Sequence, residues 1–134
     1  MKKRMKAPPL AGRVIGPTDG AFVVAEWTDN GDTSAERPIA PLHVHRKDDE
    51  AWYVLEGKLG FRLGDEDVVA NAGSAVFAPR GLPHTYWNAH KRKTRYVIVM
   101  TPNLYGLIEE IHATNDRDAA SIRRLFERYD SELL

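Results

Sequence analysis

The chain has 134 residues, of which 43% are hydrophobic and 28% are charged. This length and composition predict one globular domain with a single core and exclude a disordered chain. Nineteen basic residues balance nineteen acidic residues, so net charge gives no reason to expect nucleic acid or an anionic membrane as a partner. Cysteine is absent, which excludes disulfides, thiolate metal ligands and a cysteine nucleophile.

The N-terminal residues MKKRMK are basic, but the apolar run of a secretory signal peptide does not follow them. No stretch approaches the roughly 18 consecutive apolar residues that read as a membrane-spanning helix. We therefore expect a cytoplasmic protein with no membrane partner. Residues 1–13 are predicted to form an N-terminal arm, next to Val14 and Ile15, which could join the edge of a sheet.

Residues 14–100 contain a series of short segments with the composition of strands. The first, AFVVAEW, is β-branched and aromatic, and LHVH, EAWYVLEG, KLGFRLG, DVVANAG, SAVFAP, HTYWN and TRYVIVM follow at regular intervals. Glycine-containing turns separate several of them. Such spacing is typical of an all-β sandwich or barrel. Within it, Leu59, Phe61 and Leu63 share one face and are predicted to be core, as is Phe77.

Residues 101–134 have the apolar period of helices instead of strands. Thr101 is a predicted N-cap and Pro102 the first helical position, and the apolar side comprises Leu104, Leu107, Ile108 and Ile111. A second helix is predicted to follow Asn115 or Asp116, with an apolar stripe formed by Ile122, Leu125, Phe126, Tyr129 and Leu133. We expect this helical tail to pack on the barrel or on a partner.

Four residues form a candidate metal site. His43 and His45 are one residue apart in a strand-like segment, so both side chains leave one face roughly 6.6 Å apart, at about 3.3 Å per residue. Such a pair alone occurs often without metal. Glu50 would join it only if the polar residues 46–49 form a turn or bulge, and His84 begins another strand. Three imidazoles and a carboxylate suit one divalent ion of Fe, Mn, Ni, Co, Cu or Zn.

The candidate ligands belong to two blocks punctuated by glycine and proline. The first reads His43-x-His45-x4-Glu50-x6-Gly57, and the second reads Gly73-x5-Pro79-x-Gly81-x2-His84-x3-Asn88. In both blocks the chain resembles the cupins, although Arg37 stands where the family usually has a glycine. The resemblance implies an all-β double-stranded β-helix, the jelly-roll cupin barrel, followed here by C-terminal α-helices. It also implies that His43, His45, Glu50 and His84 hold one metal ion in the barrel mouth.

Side chains of matching parity should point into the barrel near the metal. Trp52 shares parity with Glu50, and Tyr86 and Asn88 share parity with His84, so these three are predicted to line a substrate pocket. The alternatives are plain barrel core for Trp52 and Tyr86, and a turn or backbone hydrogen bond for Asn88. His90 and His112 have no partners at ligand spacing and are predicted to be solvated.

The leading functional hypothesis is a metal-dependent dioxygenase that acts on a small aromatic or enol substrate. It follows from the predicted metal site, whose open positions could bind both O₂ and a substrate hydroxyl, with Glu50 as ligand or base. The C-terminal tail, with Thr101-Pro102 and LFERYDSELL, also resembles weakly that of small cupins related to quercetin dioxygenases. A metal-dependent isomerase or cyclase and a non-catalytic module for a sugar or another small molecule remain open, because fold alone cannot decide among them. A homodimer is also expected, since a second copy could cover the sheet edge at Val14 and Ile15.

Overall fold

The structure, a computed structural model, describes residues 13–134. The N-terminal arm predicted for residues 1–13 lies outside this range except for Arg13. The elements in chain order are β1 (Val14–Ile15), β2 (Val23–Asp29), β3 (Ala40–His45), β4 (Glu50–Glu56), β5 (Lys58–Leu63), β6 (Glu66–Asn71), β7 (Ala75–Ala78), β8 (His84–Asn88), β9 (Thr94–Met100), α1 (Pro102–Ala113), α2 (Ala119–Arg128) and β10 (Ser131–Leu133).

The strands form two five-stranded sheets with antiparallel pairing. The first sheet has the order β1-β2-β9-β4-β7, and the second has the order β10-β3-β8-β5-β6. Strands that are distant in sequence lie side by side, as a double-stranded β-helix requires. The predicted all-β fold with C-terminal helices is therefore confirmed.

The main core lies between the two sheets, where strand alternation directs apolar side chains inward. Leu59 and Phe61 are fully buried there, and Leu63 packs against the core while remaining half-buried. The predicted burial of Phe77 is wrong, because this side chain is 58% exposed. It lies on the edge strand β7, where Ala78 points into the core and Phe77 points to the outer face.

The edge strand β1 bears on the predicted homodimer. It pairs with β2 through Val14 opposite Ala25 and Ile15 opposite Val24, and its other side is the end of the first sheet. A strand edge of this kind is a ready template for pairing with another chain. We expect sedimentation at micromolar concentration to give a species of twice the 15.1 kDa of one chain. A single species of one-chain mass at that concentration would reject the dimer.

The C-terminal tail packs on the barrel. Thr101 caps α1 as predicted, since its Oγ1 accepts a hydrogen bond from the backbone N–H of Leu104 at 3.2 Å. The second helix begins later than predicted, because the carboxylate of Asp118 accepts the backbone N–H of Ser121 at 2.9 Å and sets the cap there. Neither of the helices described has the length and apolar character to cross a membrane.

The last part of the predicted helical stripe is a strand. Asp130 has a φ of 58°, a left-handed conformation that ends the helical path. The chain then pairs as β10 with β3, and Leu133 lies opposite His43 instead of on a helix face. The tail is thus two helices and a strand, and the strand adjoins the element that carries two predicted metal ligands.

Candidate metal centre

Strands from both sheets bring the four predicted ligands together. His43 and His45 lie on β3, and His84 lies directly opposite His43 on β8. Glu50 is the first residue of β4, in the other sheet. The two sheets therefore contribute ligands from facing surfaces, at one end of the barrel.

The polar segment before Glu50 turns the chain back, as the sequence required. Asp48 is buried, and its carboxylate accepts hydrogen bonds from Thr101 Oγ1 at 2.8 Å and Asn103 Nδ2 at 2.9 Å. The next residue, Asp49, forms an ion pair with Arg80 at 2.9 Å. These contacts fix the reversal on two sides, so that Glu50 faces the histidines.

The ligand atoms converge on one point. His43 Nε2 lies 3.0 Å from His45 Nε2, and Glu50 Oε1 lies 3.1 Å from His84 Nε2 and 3.4 Å from His45 Nε2. One ligand atom from each residue lies within 4.8 Å of those of the other three, and all four residues are buried. The four residues predicted as ligands form one cluster.

The hydrogen bonds of the outer Nδ1 atoms of His43 and His84 determine whether their Nε2 atoms carry a proton or a lone pair. His43 Nδ1 donates to the carbonyl of Pro41 at 2.5 Å, and His84 Nδ1 donates to the carbonyl of Leu82 at 2.9 Å. A carbonyl only accepts, so each neutral ring carries its proton on Nδ1 and a lone pair on Nε2. These lone pairs face the carboxylate of Glu50, an arrangement that is repulsive unless a cation lies between them. The donor set therefore fits a divalent metal ion.

The pKa shifts agree with a site that attracts positive charge. Burial, and then the neighbouring His45 and His84, lower the pKa of His43 to about 3. Burial alone would raise the pKa of Glu50, but hydrogen bonds with His45 and His84 outweigh it and lower this pKa to about 2. The pKa of His84 is raised, because its contacts with Glu50 outweigh the opposing effect of burial. Without a metal ion, His84 thus holds its proton to a higher pH than an isolated imidazole, with Glu50 as its partner.

A cavity of about 520 Å³ adjoins the cluster, and His43, His45 and Glu50 line it. Most of its other walls are apolar. They comprise Trp27, Ile39, Ile98, Leu104, Leu107, Ile108, Ile111, Ile122 and Phe126. The members from α1 and α2 form a roof over the barrel mouth. Phe126 of this roof reaches the candidate ligand cluster, since its ring lies 5.7 Å from that of His43.

The residues predicted to line a substrate pocket differ in position. Tyr86 lines the cavity. Trp52 is 1% exposed and lies behind the lining, with its ring 5.6 Å from the ring of His84 and 5.0 Å from that of Phe61. Trp52 is therefore part of the barrel core, as the alternative prediction had it, and it packs against the candidate ligand His84.

Asn88 lies outside the cavity lining. Its Nδ2 donates to the carboxylate of Asp29 at 3.0 Å and to the carbonyl of Arg92 at 2.6 Å. Its Oδ1 accepts from the backbone N–H of His90 at 2.8 Å and from Thr94 Oγ1 at 3.1 Å. Asn88 thus makes the turn and backbone hydrogen bonds that were predicted as the alternative to a place in the substrate pocket. They occupy both the Nδ2 and the Oδ1 of its side-chain amide.

Other residues near the cavity were not singled out from the sequence. Tyr96 lines the cavity and its hydroxyl lies 3.1 Å from that of Tyr86. Its parity with Ile98 was the one signal that could have revealed it. His112 is exposed, as expected, but it also lies on the cavity lining with Arg117. Ser131 contacts His45, and no local pattern connects residues so distant in sequence.

Comparisons with known proteins agree with this architecture. The cupin domain family matches residues 34–100, half of the chain. Germin-like protein subfamily T member 2 of Arabidopsis thaliana is 36% identical over 73 residues, which cover 51% of this chain and 33% of that protein. The chain thus corresponds to about a third of the length of that relative.

Solved structures show the same fold. A Klebsiella pneumoniae protein with a double-stranded β-helix domain is 25% identical, with a TM-score of 0.55 over 67% of this chain and 74% of that one. A cupin protein from Bacteroides fragilis is 14% identical, with a TM-score of 0.60 over 75% of this chain and 86% of that one. These likenesses support a small cupin domain and do not single out the quercetin dioxygenases. The family match and the barrel together establish that the chain belongs to the cupins.

Proposed function

We propose that this cupin is a metal-dependent dioxygenase that acts on a small, largely apolar aromatic or enol compound. The observation that carries the proposal is the position of the ligand cluster on the wall of a cavity of about 520 Å³ whose other walls are mostly apolar. Cavities of this size and character hold small organic ligands. A substrate in this cavity would lie directly against the metal ligands.

His43, His45, Glu50 and His84 would hold the ion. When bound, a divalent ion supplies a Lewis acid for a substrate hydroxyl or carbonyl, and a redox-active ion also supplies electron transfer to O₂. The roof of α1 and α2 limits access of water to the reacting groups. The protein's own contribution is thus to bind, orient and shield the substrate.

The main role that we propose for Glu50 is that of a metal ligand, not of a base. With a pKa lowered to about 2, mainly because hydrogen bonds with His45 and His84 outweigh the effect of burial, its carboxylate is ionised. A carboxylate with so low a pKa is a weak proton acceptor at neutral pH. A role as base would require the substrate to displace part of this hydrogen bonding.

The tyrosine pair offers a donor for a substrate oxygen. Burial raises the pKa of Tyr96 to about 12 and that of Tyr86 well above its usual value, so both hydroxyls stay protonated. Their mutual hydrogen bond uses only one of the two hydroxyl hydrogens. We propose that the second hydrogen donates to an oxygen of the substrate, since both residues line the cavity.

The polar groups of the cavity favour this substrate class over a sugar. Asp29 lines the cavity, and one oxygen of its carboxylate, Oδ2, already accepts from the backbone N–H of Gly31 at 3.0 Å, from Thr33 Oγ1 at 3.2 Å and from Asn88 Nδ2 at 3.0 Å. Recognition of a sugar needs several uncommitted polar groups. A flat compound with one or two oxygens matches the walls better.

The test is O₂ uptake by the reconstituted protein. Apo-protein is loaded separately with Fe(II), Mn(II), Ni(II) and Zn(II), and O₂ consumption is followed over catechols, flavonols and β-diketones. We expect at least one redox-active form to consume O₂ and the zinc form to be inactive. Glu50→Gln should abolish uptake. Glu56→Gln should retain it, because Glu56 is exposed and pairs with Lys93 and Arg95 outside the cavity.

Two results would replace the proposal. If no metal form consumes O₂ above the Glu50→Gln level while a sugar or sugar phosphate raises the melting temperature, the chain is a binding module. If the zinc form converts a carbonyl substrate without O₂ uptake, the chain is an isomerase or cyclase.

A further inference from the structure

The C-terminal strand contacts the ligand cluster through one hydroxyl group. Strand β10 pairs with β3 so that Ser131 lies opposite His45. Ser131 is 1% exposed, and its Oγ lies 2.6 Å from His45 Nδ1. The two residues are 86 positions apart in the sequence. The outer nitrogen of this histidine is thus held by the far end of the chain.

The direction of this hydrogen bond follows from the serine's other contact. Ser131 Oγ donates to the backbone carbonyl of Tyr129 at 3.3 Å, which uses its only hydrogen. It therefore accepts from the Nδ1–H of His45. The proton on Nδ1 leaves a lone pair on Nε2, which lies 3.0 Å from His43 Nε2 in the ligand cluster. Ser131 thereby selects the tautomer of His45 that can bind a metal.

This partner differs from those of the other two ligands. His43 and His84 donate to carbonyls only two residues earlier in the chain, at Pro41 and Leu82, so their orientation is fixed within their own segments. His45 depends on Ser131, and so on the docking of a separate strand. Of the three histidines, His45 alone has an outer partner that folding must bring from a distant element.

Further contacts attach the same C-terminal strand to β3 and to the roof. The backbone N–H of Arg46 donates to the carbonyl of Asp130 at 2.9 Å, and that of Leu134 donates to the carbonyl of Leu42 at 3.1 Å. Leu133 of β10 packs against a second apolar cluster, which contains Leu107 of α1 and Phe126 of α2, and the ring of Phe126 lies against His43. Movement of β10 would therefore disturb both the ligand strand and the cavity roof.

We propose that Ser131 is a positioning residue for His45, and that metal binding and docking of β10 stabilise each other. Coupling between two binding events is reciprocal, so a strand that favours the metal-binding tautomer must itself be held more firmly when the ion is present. The inference rests on the metal-binding part of the proposed function. It does not depend on O₂ chemistry, so a negative oxygen-uptake screen leaves it unaffected.

The first test measures metal affinity by competition with a chelator, using Co(II) and Zn(II) without substrate. Loss of a partner of a ligating histidine typically weakens metal binding by about 10- to 100-fold, and we expect Ser131→Ala to fall in this range. Ser131→Thr keeps a hydroxyl on a β-branched side chain suited to a strand and should restore most of the affinity. The visible absorption of bound Co(II) should change in Ser131→Ala and return in Ser131→Thr.

The matched control is Ser74→Ala, in the turn between β6 and β7, away from the ligand cluster. It should bind metal like the unaltered protein. Wild-type affinity together with an unchanged Co(II) spectrum in Ser131→Ala would overturn the positioning role.

The second test needs no variant and decides the coupling even if Ser131→Ala fails to fold. Hydrogen exchange of the amides of residues 131–134 is measured in the unaltered protein with and without Zn(II). We expect the ion to slow their exchange several-fold more than that of the β6 amides, which lie on the far edge of the same sheet. Equal exchange rates with and without the ion would overturn the coupling.

Discussion

Replacing His84 by alanine is expected to remove most of the bound metal while the barrel stays folded. The ring is fully buried, and its Nε2 lies 3.1 Å from Glu50 Oε1, so the substitution removes one of four converging ligands. Loss of an outer hydrogen-bond partner of a ligand weakens metal binding by about 10- to 100-fold, and loss of the ligand itself should weaken it further. His45→Ala should behave similarly, and the double variant should hold almost none.

Metal analysis of protein purified without an affinity tag checks this result, and circular dichroism checks the fold. His112→Ala is the matched control, because His112 is an exposed histidine outside the ligand cluster. It should retain full metal content. Near-full occupancy in the His45→Ala, His84→Ala double variant would show that the ion binds elsewhere.

Metal affinity is expected to fall steeply as the solution is acidified. The pKa of His84 is raised above its usual value of 6.5, because contacts with Glu50 outweigh burial, so in the apo-protein this imidazole holds its proton to a higher pH than an isolated one. An incoming ion must displace that proton. His43, with a pKa of about 3, and Glu50, with a pKa of about 2, stay in their metal-binding forms throughout this range. Among these three ligands, acid therefore competes with the ion chiefly at His84.

Displacement of one proton corresponds to about a tenfold loss of affinity per pH unit below the pKa of His84. Because this pKa is raised, the loss should begin at a higher pH than for an isolated imidazole. Chelator competition between about pH 8 and about pH 5, corrected for the chelator's own protonation, measures the slope. A slope near zero over this interval would contradict the assignment of the proton to the His84 and Glu50 pair.

The sequence was sufficient to predict the barrel and the four residues that form the buried cluster, because both depend on local patterns. Alternation along KLGFRLG identified Leu59 and Phe61 as core, and the spacing of His43, His45 and Glu50 required the turn that the structure contains. Alternation does not say which of two faces is buried on an edge strand. Phe77 was misplaced for that reason.

What the sequence missed depends on contacts between distant segments. Strand β10 has three residues, and its Leu133 continues the apolar spacing of α2, so the pattern alone favours a longer helix. The left-handed conformation of Asp130 and pairing with β3 override that pattern. Similarly, the apolar side of α1 predicted that the helix packs on something, but its position over the metal cavity follows only from the fold.

The hydroxyl of Thr101 has two partners: it accepts the N–H of Leu104 at the start of α1 and donates to Asp48 just before Glu50. One side chain therefore sets both where the roof begins and where the fourth ligand lies. Roof residues further along the helix, such as Leu107 and Ile111, take no part in these two hydrogen bonds. We therefore expect substitutions that change the size of these side chains to reshape the cavity without moving the candidate ligands.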